Sequence, residues 1–134
     1  MTKSAVVYWS GTGNTEAMAK AIQSAAGCDI FTADDFDPTM LDDYGSVAFG
    51  CPAMGAENLE ETSFEPMFEA CRSKLGGKKI ALFGSYGWGE GDWMDIWKED
   101  CVSAGADVVG TVICMGMPGG GTLNELKKLA DALK

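Results

Sequence analysis

The sequence predicts a doubly wound α/β protein, a parallel sheet held between two layers of helices, and three observations carry that prediction. Five strand-like apolar runs alternate with helix-like segments along only 134 residues. Ser46-Val47-Ala48-Phe49-Gly50 and Lys79-Ile80-Ala81-Leu82-Phe83-Gly84 are continuous rather than alternating, as strands covered on both faces are. The first run opens at once into a Gly-rich loop and a helix. Right-handed βαβ units are the economical way to join such elements, and their ligand crevice lies at the carboxyl ends of the strands.

Taken in order, Ala5-Val6-Val7-Tyr8-Trp9 is the first strand, and Glu16 to Ala26 is a helix with Met18, Ala19, Ile22 and Ala26 at helical spacing. Gly27 should end it, because a helix C-terminus favours a residue tolerant of positive φ. Cys28 to Thr32 is a weaker strand, followed by an acidic loop from Asp34 to Asp43 and the Ser46 to Gly50 strand. Thr62 with Glu65 fits a capping box, after which Phe64, Met67, Phe68, Cys71 and Leu75 recur at helical intervals as far as Gly76-Gly77. Lys79 to Gly84 is the fourth strand. Asp92 to Ala104 is a helix whose inward face should hold Trp93, Ile96, Trp97 and Cys101, and Gly105 closes it. Val108 to Met115 is the fifth strand. Thr122 and Glu125 offer a capping box for a last helix with Leu123, Leu126, Leu129, Ala130 and Leu133 inward.

The balance of 46% apolar and 22% charged residues belongs to a folded protein, and residues 1–134 are expected to form a single domain. No apolar run nears the ~20 residues that cross a bilayer, and Met1-Thr2-Lys3-Ser4 leads straight into a strand without a signal-peptide core, so the expected location is cytoplasmic. Twenty acids against ten bases give a charge of −10, which repels nucleic acid and anionic membrane and favours a basic partner. Histidine is absent, which removes the usual general base, triad member and zinc ligand together and argues against hydrolytic chemistry. Cys28, Cys51, Cys71, Cys101 and Cys114 are odd in number and widely spaced, as buried apolar residues in a reducing compartment are.

The strongest chemical signal is Ser10-Gly11-Thr12-Gly13-Asn14-Thr15, hydroxyls alternating with glycines at a helix N-terminus. Helix-start N–H groups carry partial positive charge, glycines let an anion approach, and the hydroxyls add donors, so this loop suits phosphate better than an ordinary tight turn. It holds no lysine, as a nucleoside triphosphate loop would, and Glu16 stands where a dinucleotide fingerprint places its third glycine. A monophosphate remains. A receiver domain would need an aspartate after the third strand, where Gly50 and Cys51 stand. The loops after strands three and four, Ala53-Met54-Gly55-Ala56-Glu57 and Ser85-Tyr86-Gly87-Trp88-Gly89, add a thioether and a large aromatic. A planar ring could lie between Met54 and Trp88, although each taken singly could be core filling or a loop aromatic.

Together Val7-Tyr8-Trp9-Ser10-Gly11-Thr12-Gly13-Asn14-Thr15-Glu16, Gly50-Cys51-Pro52-Ala53-Met54-Gly55 and Ala81-Leu82-Phe83-Gly84-Ser85-Tyr86-Gly87-Trp88-Gly89 resemble the flavodoxins, above all the short-chain type of anaerobic bacteria. The likeness runs over nearly the whole chain. It implies a flavodoxin-like fold with a parallel sheet of order 2-1-3-4-5 and a low-potential one-electron carrier using non-covalently bound flavin mononucleotide (FMN), without substrate turnover of its own. By the same resemblance Ser10 to Thr15 and Ser85 would hold the FMN phosphate, Met54 would cover the inner flavin face and Trp88 the outer one. The Gly55 carbonyl would turn toward flavin N5 when that atom is protonated, with Ala56 completing the turn and Glu57 contacting the N3 side. The Tyr86 to Gly89 backbone would border the pyrimidine edge. Pro52 stands where some relatives have a hydroxyl donor.

The acids Glu57, Glu60, Glu61, Glu65 and Glu69, with Glu90, Asp92 and Asp95, adjoin the expected flavin edge and predict a docking surface for basic rims on redox proteins, with the carrier a monomer. A flavodoxin-fold NAD(P)H-dependent FMN or quinone reductase is the alternative; it would need bases near the loops to hold a second nucleotide. A non-redox phosphate-binding module would leave Met54 and Trp88 unexplained.

Overall fold

Each of the five apolar runs becomes a strand because its side chains are wanted on both sides of the sheet. The structure, a computed structural model, describes residues 3–11, 13–54, 59–87 and 91–133. Its elements are β1 (Lys3–Tyr8), α1 (Asn14–Ala26), β2 (Asp29–Thr32), a 3-10 turn (Pro38–Asp43), β3 (Tyr44–Gly50), α2 (Phe64–Arg72), β4 (Lys79–Tyr86), α3 (Asp92–Ser103), β5 (Asp107–Met115) and α4 (Gly120–Leu133). The strands pair in parallel in the order β2-β1-β3-β4-β5, as the resemblance implies. Alternate residues serve alternate layers. Ala5, Val7, Phe49 and Leu82 face a core with Phe64, Phe68 and Trp97 of α2 and α3. Val6, Ala48, Ala81 and Phe83 face a second core with Met18, Ile22, Leu126 and Leu133 of α1 and α4.

In the first core Phe49 meets Phe68 edge to face at 5.2 Å between centroids, and Trp97 meets Phe64 likewise at 5.4 Å. Such aromatic contacts fix the position of α2 and α3 over the sheet more sharply than aliphatic packing would. Close strand approach also dictates glycine at two core positions. A Cβ on Gly50 would lie 2.2 Å from the Phe83 ring, and one on Gly84 would lie 2.2 Å from the Cys51 carbonyl oxygen.

Several element boundaries depart from the sequence reading. Gly27 caps α1 in the left-handed conformation as expected, its N–H donating to the Gln23 carbonyl at 2.8 Å. The acidic loop contains the 3-10 turn, begun by Asp37, whose carboxylate accepts from the Thr39 N–H at 2.9 Å. The Thr62–Glu65 capping box does not form, since Ser63 is the N-cap of α2 and Glu60 supplies the acceptors from outside the helix. That helix ends at Arg72, short of Gly76. The second box also fails: α4 starts at Gly120, so Thr122 is already inside the helix. Ile96 and Leu123, expected inward, are exposed at 66% and 39%. Each lies at the edge of an apolar stripe already filled by larger or better-placed neighbours.

Candidate cofactor site

The carboxyl ends of β1, β3 and β4 are held side by side by backbone bonds that continue beyond the strands. The Trp9 N–H donates to the Gly50 carbonyl at 3.0 Å, the Cys51 N–H to Phe83 at 3.1 Å, and the Ala53 N–H to Ser85 at 3.0 Å. The chain segments that leave these ends therefore meet in one cleft of about 260 Å³, lined by Ser10, Gly11, Asn14, Thr15, Ala53, Met54, Ser85, Tyr86 and Gly87. This is the switch-point position where doubly wound sheets bind ligands.

Its floor is polar. Thr15 and Ser85, both buried, share a hydrogen bond of 3.0 Å between hydroxyl oxygens. A buried hydroxyl pair keeps unused donor and acceptor capacity, which a ligand oxygen can take up. Beside it the first helix starts at Gly13, in the left-handed conformation at φ 96°. The Ser10 hydroxyl oxygen accepts from the N–H groups of Gly13 at 3.1 Å and Glu16 at 3.2 Å, which folds the loop into a closed ring over the helix start. The N–H groups of Asn14 and Thr15 take no acceptor among the described residues. Among the described residues, two helix-start donors without an acceptor beside two buried hydroxyls, with no Lys or Arg lining the cleft, form an arrangement suited to holding an anion by dipoles.

The walls are apolar. Met54 lines the cleft with 37% of its surface exposed, and Tyr86 packs on Trp93 with centroids 5.6 Å apart. Trp9 lies along the loop so closely that a Cβ on Gly11 would sit 3.0 Å from its ring, which explains the first glycine of the loop. Trp9, Pro52 and Gly116 line the cleft without having been singled out as site residues from the sequence. Trp9 read as the last strand residue, although an aromatic directly before a phosphate loop is itself a signal. Gly116 was hidden in the turn after β5, where its N–H donates to the Tyr86 carbonyl at 3.1 Å. Thr12, Gly55, Ala56, Glu57, Trp88 and Gly89 lie outside the described residues.

Among the described residues that line the cleft there is no carboxylate, thiol or amine for acid–base or nucleophilic work. The cysteines are all free and buried, and burial pushes the Cys51 and Cys101 thiols up to about 12 and Cys71 up to about 11. Among the described residues no cluster of three metal-ligating side chains exists, and no helix is long and apolar enough to cross a membrane. Glu60, counted from the sequence among the docking acids, is turned inward with 5% exposure. Burial alone would raise its carboxyl pKa. The Thr62 hydroxyl and the N–H groups of Phe64 at 2.8 Å, Ser63 at 2.7 Å and Thr62 at 2.9 Å donate to it and win, bringing it down to about 2.

Fold and cleft define a class: a doubly wound α/β protein with an open cleft at the switch point of its parallel sheet, lined among the described residues by hydroxyls, backbone and apolar side chains. The family profile described as flavodoxin matches residues 6–132. A flavodoxin of Megasphaera elsdenii is 50% identical over 133 residues, covering 95% of both chains, and one of Clostridium beijerinckii is 46% identical over 113 residues, covering 79% of this chain and 80% of its own. The solution structure of two-electron reduced Megasphaera elsdenii flavodoxin superposes with a TM-score of 0.85 at 46% identity, over 95% of this chain and 97% of that one. The chain belongs to the flavodoxin family. It is an FMN-binding electron carrier that passes electrons to redox partner proteins, and not an enzyme with its own substrate turnover.

Proposed function

We propose that the whole chain acts as one FMN domain and that the cleft described above is its FMN site, with the phosphate on the loop Ser10 to Thr15. The observation that carries this is the buried Thr15–Ser85 hydroxyl pair beside the N–H groups of Asn14 and Thr15, which have no acceptor among the described residues. Bound FMN supplies the redox chemistry, accepting and releasing electrons singly. The protein's own residues do the rest. Thr15, Ser85 and the loop amides would hold the phosphate by dipoles without neutralising its charge, Ala53 and Gly87 would leave backbone at the ring edge, and Met54 with Trp88 would cover the two faces. Gly55, Ala56, Glu57, Tyr86 and Gly89 would complete the ring's border. With no base lining the cleft and a charge of −10, added negative charge on the cofactor is disfavoured, which makes the carrier a low-potential one.

The same charge makes basic surfaces the fitting partners and keeps copies of the chain apart, so the carrier works as a monomer. Five free buried thiols suit a reducing cytoplasm. The site assignment is tested by Thr15→Val and Ser85→Ala. Each should weaken FMN by roughly 1.5–3 kcal/mol, the range for a hydrogen bond to a charged group, and leave riboflavin affinity nearly unchanged. Equal losses for both flavins would place these hydroxyls away from the phosphate.

A further inference from the structure

A second cavity, not part of the cofactor cleft, runs between α2 and α3 and is the larger of the two at about 420 Å³. Its floor is Leu59, Trp93 and Trp97, and Ile96 stands two-thirds exposed on its wall. The outward position of Ile96 leaves a large apolar side chain on the rim of a groove instead of in the core. The walls carry Glu65 and Glu69, one helical turn apart on α2, and Glu99 and Asp100 on α3. Arg72 bridges two of these, Glu69 at 3.9 Å and Asp100, while Glu65 and Glu99 make no ion pair among the described residues. The indole N–H groups of Trp93 and Trp97 are buried and have no hydrogen-bond partner among the described residues.

We propose that this groove is a docking site for a basic segment of a redox partner, its Lys or Arg stems lying against Ile96 over the Trp93–Trp97 floor and its charged heads reaching Glu65 and Glu99. The proposal rests on the reading that the carrier docks on basic proteins and adds where one such segment sits. Lys and Arg join an apolar stem to a cationic head, which is the pairing that an apolar floor under acidic walls selects. A second copy of the chain would bring acids to acids, and a purely apolar segment would leave two carboxylates unpaired at its edge. Groove and cofactor cleft share a wall, since Trp93 of the groove packs on Tyr86 of the cleft, so a partner seated here is brought next to the cofactor.

The test is a titration of the ¹⁵N-labelled, FMN-loaded protein with an amidated hexa-arginine peptide, following the four indole N–H signals assigned by single Trp→Phe variants. Hexa-glutamate serves as control. Saturable shifts are expected at Trp93 and Trp97. Glu65→Gln and Glu99→Gln should each weaken binding about two- to fivefold, the factor that an exposed ion pair carries, and Glu125→Gln on the opposite helical layer should not. Shifts confined to Trp9 would overturn the groove and leave docking around the cleft standing. No saturable shift at any indole, or equal shifts with hexa-glutamate, would remove both. Trp93 and Trp97 signals that move with the protein's own concentration would overturn the proposal by assigning the groove to a second copy.

Discussion

Replacing Glu60 by Gln should destabilise the protein at neutral pH and do so progressively less as the pH falls. From outside the helix that it caps, the carboxylate receives three backbone N–H donors, of Thr62, Ser63 and Phe64, and the Thr62 hydroxyl at the start of α2. Gln keeps one acceptor oxygen and turns an NH₂ group toward the remaining donors. The drop of the carboxyl pKa from 4.5 to about 2 corresponds to at most ~3.5 kcal/mol. Solvent screening and the acceptor that Gln retains reduce this to about 1–2 kcal/mol. Because the folded-state pKa lies below the unfolded one, the advantage of Glu is complete above pH ~4.5, and it is lost as the pH falls through about 2. Urea unfolding of both FMN-loaded proteins at pH 7, 5, 4 and 3 measures this. Stabilities equal within about 0.5 kcal/mol at pH 7, or a difference that stays constant down to pH 3, would refute the capping argument.

Gly84→Ala should cost at least ~3 kcal/mol and abolish tight FMN binding, because its Cβ would strike the Cys51 carbonyl at 2.2 Å between two strands that cannot part; a folded variant with unchanged unfolding midpoint contradicts this. In the native protein at pH 8 a disulfide reagent should leave Cys51, Cys71 and Cys101 unmodified until urea unfolds the chain, and rapid labelling of any of them would show that burial does not hold the thiol protonated. Electron transfer to a basic haem protein should slow as salt rises, since exposed charges are screened over ~8 Å at physiological ionic strength. A rate constant independent of salt would reduce the acids to ordinary solvated surface.

The sheet was legible because its central strands are continuous apolar runs, a pattern that few other environments demand. The phosphate loop was legible for a related reason: alternating Ser, Thr and Gly before a helix has one economical use. Side-chain capping was not, because a Thr-x-x-Glu spacing records what a helix start can do and not which nearby carboxylate arrives first. Glu60 lies one turn upstream and wins α2 by reaching three N–H groups at once. Gly120 and Gly121 precede the helix start that the Thr122–Glu125 spacing suggests, yet they begin α4, where the Gly119 carbonyl accepts from the Leu123 N–H at 2.9 Å. Ile96 shows a further limit of periodicity. Helical spacing places it with Trp93 and Trp97, but those two indoles turn into the core, Trp97 against Phe64 and Phe68 of α2 and Trp93 against Tyr86, and leave Ile96 on the rim. Trp9 escaped notice as a site residue because strand pattern alone cannot tell the last buried position from the first one over a cleft.

The most direct test of the account is the comparison of FMN with riboflavin on the apoprotein, followed by quenching of flavin fluorescence. The two ligands share the ring and differ in the phosphate that the Ser10 to Thr15 loop and the Thr15–Ser85 pair are argued to hold. If several charge-assisted bonds reach that phosphate, FMN should bind tighter by at least about 3 kcal/mol, a factor of more than a hundred in the dissociation constant. Equal affinity for the two flavins would contradict the phosphate site and the assignment of the cleft built on it.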